Sequence, residues 1–311
     1  MAPLHVIRSH PDPSVARLQQ RDVASGRLVR IGHGAFVARS EWDAATEWER
    51  HTARVVAASG RSPRLYASHA SAAVLHRLPW ISPVPDRPTL TDPARSTSQR
   101  TRFVDKIAAP ERDRCLMRIE GVLVTGPADT AVDVAVRYDR ARGLAVADAV
   151  VRRGTPREAL LDRYAERPAV RAHRRARQVL ELASGLSESA GESVALLVMR
   201  DVGCPPPTQQ QLFHDASGPI GRVDFWFPDQ GVVVEFDGLA KYRDPAMRRG
   251  RSADEVVVAE KIREDRLRAV PGVRHVVRPI WRDVVTGGRF PAMLADAGLP
   301  VRRGVRATPA W

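Results

Sequence analysis

The stretch VVVEFDG carries the residues most suited to chemistry: Glu235 and Asp237 close a β-branched run and are separated by one phenylalanine. Side chains alternate across an extended strand, so both carboxylates fall on one face and Phe236 on the other. A third acid, Asp224 in GRVDFWF, lies across the turn-forming Pro228-Asp229-Gln230-Gly231. Whether it joins the pair depends on the hairpin register. Two carboxylates about 6 to 7 Å apart repel by about 2.5 kcal/mol at an effective dielectric of about 20, and apolar flanks add a desolvation cost. A hard divalent cation offsets that cost. Mg2+ (or Mn2+) needs few carboxylates, retains several waters and leaves positions for phosphate oxygens. Such an ion polarises a phosphodiester and activates water, so metal-dependent cleavage of nucleic acid is the chemistry the pattern suggests. Plainer roles exist for the same residues: an Asp-Gly turn, a Glu235–arginine pair, or carboxylates sharing a proton.

These acids need a sheet and helices to hold them. The spacing predicts a helix over 189–202 (SAGESVALLVMRDV), three strands in QQQLFHD, GRVDFWF and GVVVEFDG, a helix over 253–269 and a final strand in VRHVVRPI. The resulting α-β-β-β-α-β order is α/β. Glu192 stands in the first turn of the leading helix, where the dipole alone favours a carboxylate. Lys241, shortly after Asp237, and Lys261, on EKIREDR, are the candidate groups for stabilising phosphate charge or positioning the attacking water. Lys261 also has the spacing of a surface pair with Asp265. Trp226 and Phe227 suit a core or a base-stacking platform.

The N-terminal half reads differently. Residues 14–39 give a helix, then strands RLVRI and AFVAR joined by Gly32-His33-Gly34, a helix followed by a basic β-wing. In a winged helix the helix enters a groove and wing residues such as Arg27 and Arg30 meet phosphates; a small structural hairpin fits equally. Helices are expected over 41–60, 66–77, 127–138 and 141–153, a Pro- and polar-rich connection over 81–115, and a strand in RIEGVLVTG. The helix RAHRRARQVLELAS presents Arg171, Arg174 and Arg175, able to track a phosphate backbone or to form a solvated face. Ser68, His69 and His76 in SHASAAVLH lack a third ligand or a nucleophile motif, so core and capping roles are expected of them. The polar SGLSESAGES marks a boundary, giving a partial winged-helix segment at 1–40, a mixed scaffold at 41–183, an α/β domain at 188–290 and a tail at 291–311.

Composition narrows the partners. Lys and Arg number 49 against 36 Asp and Glu, a net charge of +13 that attracts polyanions, although Arg-rich codon usage inflates such a value. DNA is the leading partner class, and the oligomeric state is not legible. Cys115 and Cys204 are far apart and lack zinc-ligand spacing, so neither a zinc site nor a disulfide framework is expected and a reducing cytoplasm fits. With no leader-like start and no run of 18 apolar residues, the chain reads as neither secreted nor membrane-spanning.

Two resemblances follow from these stretches. GES, Pro207-Thr208-Gln209, GRVDFWFPDQGVVVEFDG, AEKIREDRLRAV and VVRPIWRDV together resemble the family related to very-short-patch-repair endonucleases, within the PD-(D/E)XK nuclease superfamily, over roughly residues 188–285. The resemblance implies a restriction-endonuclease-like domain in which Asp224 and Glu235 bind the metal and Glu192 is the acid on the preceding helix. Arg222, in GRVDFWF, is a further candidate for DNA contact. Asp237 stands where that superfamily carries a lysine. In the other half, SGRLVRIGHGAFVAR, ASHASAAVLHRLPW and residues 124–151 resemble AbiEi-type antitoxins, which implies promoter binding and a cognate toxin. The expectation is a DNA-binding protein with a Mg2+-dependent endonuclease-like domain, the alternative being a non-enzymatic AbiEi-like antitoxin or repressor with a degenerate nuclease fold.

Overall fold

The computed structural model describes the chain except residues 1–3, 61, 82, 110–113, 168–172, 239–252, 287 and 303–311. Helices and sheets mix throughout, the α/β class expected, and two compact units result: residues 1–138 with 153–183, and residues 139–152 with 184–311. Among the described residues no helix is long and apolar enough to cross a membrane.

The first unit opens with β1 (Ile7–Arg8), α1 (Pro13–Ala24), β2 (Leu28–Gly32) and β3 (Ala35–Ala38), the strands ordered β1-β3-β2. Asp12 starts α1 by accepting from Ser14 N at 2.8 Å, with Pro13 in the first turn, where its missing N–H costs nothing. Gly34, at φ +60°, closes the wing. The helix expected over 41–60 is two helices, α2 (Arg39–Ala44) and α3 (Glu47–Ser59). The break has a local cause: Thr46 and Glu49 form a reciprocal capping box that begins α3 afresh.

β4 (Tyr66–Ala67) and α4 (His69–Leu75) replace the single helix expected over 66–77. The connection expected over 81–115 contains three strands, β5 (Thr89–Asp92), β6 (Gln99–Arg100) and β7 (Asp105–Ala108), and RIEGVLVTG is a hairpin of β8 (Leu116–Ile119) and β9 (Val122–Thr125). These strands make one mixed sheet, β6-β7-β5-β4-β9-β8, over a core that includes Val55, Leu75, Leu90 and Val124. α5 (Pro127–Arg137) begins on its proline, as expected.

α6 (Arg140–Arg152) groups with the second unit rather than with the scaffold it adjoins in sequence. Its buried Asp148 accepts from Ser184 N at 2.8 Å, Gly185 N at 2.9 Å and the Ser193 hydroxyl at 2.9 Å. Three donors to one buried carboxylate bind this helix to the stretch that leads into the next domain. α7 (Arg157–Ala165) and α8 (His173–Leu182) return to the first unit.

The second unit continues with α9 (Ala190–Asp201), β10 (Thr208–Asp215), β11 (Gly218–Phe227), β12 (Val232–Val234), α10 (Ala253–Arg268), β13 (His275–Val277) and, in the expected tail, α11 (Arg289–Asp296). The first three strands form an antiparallel meander and β13 lies parallel to β12, giving the order β10-β11-β12-β13. Helix α9 approaches this sheet closely. A Cβ on Gly191 would lie 2.0 Å from the buried ring of Phe236, which is itself packed edge-on against Trp281 at 5.4 Å. Gly191→Ala is therefore expected to cost about 1–3 kcal/mol in urea unfolding, as overpacked cores do.

Candidate functional site

The antiparallel pairing of Phe225 with Val234 sets Asp224 across from Glu235 at the next position along the hairpin. On the other side of β11, the pairs Gln209–Phe225 and Gln211–Val223 set Gln210 across from Asp224. Gln210, Asp224 and Glu235 thus form one row over three strands, and Gln210 has a left-handed backbone, φ +54°, within its strand. A non-glycine residue held there stores strain that surrounding structure must offset. With Asp237 the row borders a cleft of about 330 Å³, also lined by Glu188, Arg222, Glu260, Arg263 and Arg278. The three acids read from the sequence do share one cavity.

Glu235 is not left to repel its neighbours. Arg263 donates to both its oxygens, at 2.6 and 3.2 Å, and Arg278 donates to Oε2 at 2.8 Å. Glu260, on α10, accepts from the same two guanidiniums at 3.3 and 2.7 Å. The result is a closed ring of two acids and two arginines, with Glu235 only 12% exposed. Burial acts against the charge on Arg263 and Arg278, but Glu235 and Glu260 outweigh it and hold both above the usual arginine range. Asp224 turns toward the next strand, its Oδ2 accepting from Phe236 N at 2.7 Å.

A divalent ion in this cleft needs several oxygens aimed at one point. Both oxygens of Glu235 already face guanidiniums, and among the described residues no three His, Cys, Asp or Glu side chains are placed to hold a metal. As arranged, the residues do not fit a three-carboxylate ion site. The counter-charge that the acid cluster requires comes from arginine.

The remaining candidates separate. Lys241 and Arg171 lie outside the described residues. Lys261 is exposed and does not line the cleft; Arg263, half a turn further along α10, does. Glu192 is buried and accepts from Glu188 N and the Ser189 hydroxyl, each at 2.7 Å, and from Gln210 Nε2 at 3.3 Å, which makes it a capping residue behind the row. Phe227 is buried, and Trp226 packs edge-on against Phe213 at 5.2 Å, so both serve the core. Arg222 lines the cleft. On the wing, Arg27 pairs with Asp22, and Arg30 bonds to Gln20 and sits 5.6 Å over the Phe36 ring. Arg174 and Arg175 are exposed. Sequence reasoning missed Arg263, Arg278 and Gln210; the spacing of Glu260 and Arg263 was the available signal.

The first unit holds a second charged cluster, closed rather than open. Asp133, fully buried, accepts from Arg114 at 3.0 and 3.2 Å and from Arg167; Asp129 accepts from Arg163 at 3.0 Å. Burial acts against ionisation of Asp133, yet His69, Arg167 and Arg114 hold its carboxyl down to about 2. His69 lies behind it, Nδ1 2.8 Å from Ser68 Oγ, and His76 Nε2 donates to the Thr125 carbonyl at 2.7 Å. These histidines have the core and capping roles expected of them.

Residues 68–182 match the family of the AbiEi antitoxin C-terminal domain. Two curated proteins of Mycobacterium tuberculosis, MT2308 of strain CDC 1551 / Oshkosh and Rv2248 of strain H37Rv, are each 40% identical over 132 residues, or 42% of this chain. The chain spans about half the length, 49%, of these relatives. The crystal structure of the RV2827C protein from Mycobacterium tuberculosis aligns with a TM-score of 0.37 and 18% identity, covering 68% of this chain and 83% of that one.

Proposed function

We propose that this chain is a DNA-binding regulator of the AbiEi antitoxin type, acting in the cytoplasm with a cognate toxin as its protein partner. The observation that carries the reading is the match of residues 68–182 to that antitoxin domain. The helix and basic wing of α1, β2 and β3, in a chain of net charge +13, supply a surface of the right sign for phosphates. To test it, a labelled duplex from the chain's own upstream region is titrated at several salt concentrations. Affinity is expected to fall with salt, and Arg27→Ala with Arg30→Ala to reduce the log-log slope by about 2. No binding at low salt, or a slope indifferent to both arginines, sinks the reading.

A second reading, hydrolysis of DNA phosphodiesters with Mg2+ or Mn2+, is favoured by one observation: Asp224, Glu235 and Asp237 border a single cleft on adjoining extended segments. For it, Glu235 has to leave both guanidiniums. Plasmid cleavage by the full chain, lost in Asp224→Ala and Glu235→Ala, is its signature.

A further inference from the structure

We infer that Arg263 and Arg278 stand in place of a divalent cation at Glu235, so that the cleft is neutralised from within and takes up neither Mg2+ nor Mn2+. The inference stands on the cleft alone, whether or not the first unit binds DNA, and it stands against the metal-dependent second reading.

Three features carry it. The first is geometry: two guanidiniums cover both oxygens of Glu235 between 2.6 and 3.2 Å, leaving an incoming ion to compete with charge-assisted bonds already made. The second is fixation. Arg263 also donates to the Arg222 carbonyl at 2.8 Å, and Glu260 holds Arg263 and Arg278 together, so neither guanidinium swings free without unmaking the ring. The third is electrostatics: a dication at Glu235 would lie beside two permanent positive charges in a partly desolvated place, where like charges are least screened. The ring also joins three elements, α10 through Glu260 and Arg263, the end of β12 through Glu235, and the segment after β13 through Arg278. A group that ties helix to sheet by ion pairs has a structural task that ion binding would undo.

The test is titration of the full chain with MnCl2, the free hexaaqua ion being followed by its electron paramagnetic resonance signal. Wild type is expected to take up no Mn2+, and its thermal midpoint to be the same in MgCl2 as in EDTA. Arg263→Ala with Arg278→Ala leaves Glu235 beside Asp224 and Asp237 without its counter-charges. That double variant is expected to take up Mn2+ where wild type takes up none, and to lose that uptake on adding Glu235→Gln. Arg278→Gln alone, less disruptive, is carried in parallel and is expected to gain weaker uptake. Wild-type uptake that disappears in Glu235→Gln overturns the inference. So does a folded double or single variant, judged by circular dichroism, that remains as indifferent to Mn2+ as wild type.

Discussion

Asp133→Ala is expected to lower the unfolding free energy of the first unit by about 3–5 kcal/mol, a large share of the stability of a typical domain. Asp133 is fully buried and is the acceptor for Arg114 and Arg167, both of which are mostly buried themselves. Deleting the carboxylate leaves two guanidiniums inside the protein with only Asp129, which already serves Arg163 and lies 3.8 Å from Arg114. An unpaired buried charge costs far more than the pair it came from ever contributed, so the loss measures desolvation of the orphaned arginines. Asp133→Asn keeps the shape and one acceptor but removes the charge, and its loss is expected to fall between wild type and the alanine variant. Urea unfolding, read with a probe in this unit, gives the numbers. A loss for alanine below about 1 kcal/mol would mean that water reaches the arginines and that the cluster is no cornerstone of the unit.

The sequence was most legible where local chemistry dictates structure. Pro127 starts α5, and the Pro-Asp-Gln-Gly turn with its alternating flanks sets the β11–β12 hairpin, bringing Asp224 opposite Glu235. It was least legible where tertiary pairing decides. TLTD and DKIA carry no strong strand pattern of their own; β5 and β7 exist because they pair in parallel within a six-stranded sheet, and pairing of that kind overrides propensity. RIEGVLVTG hides its turn because Glu120 takes a left-handed backbone, φ +50°, that asparagine or aspartate would have advertised. At Thr46 the signal was present: a Thr and a Glu three apart spell a capping box, and a new helix starts there. The cleft shows the same division. Its acids lie close along the chain, whereas the arginines that neutralise Glu235 come from positions 263 and 278, and only the folded chain reveals that they meet.

Acid is expected to weaken the first unit from about pH 6.5 downward, before most carboxylates titrate, because two of its histidines are buried in the neutral form. Burial pushes His51 down to about 4 and, against the pull of Asp133 but with Arg137, Arg167 and Arg114 assisting, His69 to about 4 as well. Their contacts suit neutral rings: His51 Nδ1 donates to the Pro85 carbonyl at 2.7 Å while Nε2 lies 2.9 Å from the Ser71 hydroxyl, whose oxygen also accepts from Thr89 N. A histidine whose folded pKa lies below its unfolded value binds its proton first in the unfolded chain. Stability is thus full above the unfolded value near 6.5, declines as pH falls from there toward 4, and levels off below it. Each histidine contributes about 1.4 kcal/mol per pH unit inside that window, the slope of one proton, so the pair doubles it, with a total of about 3 kcal/mol apiece. His76, pushed the same way by burial, adds to the slope. Asp133 is depressed in the same direction, so its contribution, full above the usual carboxylate range, is lost only on falling toward about 2 and leaves the window between pH 6 and 5 untouched. Urea midpoints across that interval isolate the histidines. His51→Gln retains hydrogen-bonding capacity without the titration, and His69→Asn suits the left-handed backbone at φ +54°. Each is expected to remove about 1.4 kcal/mol per pH unit from the wild-type slope; a wild-type profile flat between pH 6 and 5, or one that neither substitution changes, would show that these rings already exchange protons with solvent in the folded chain.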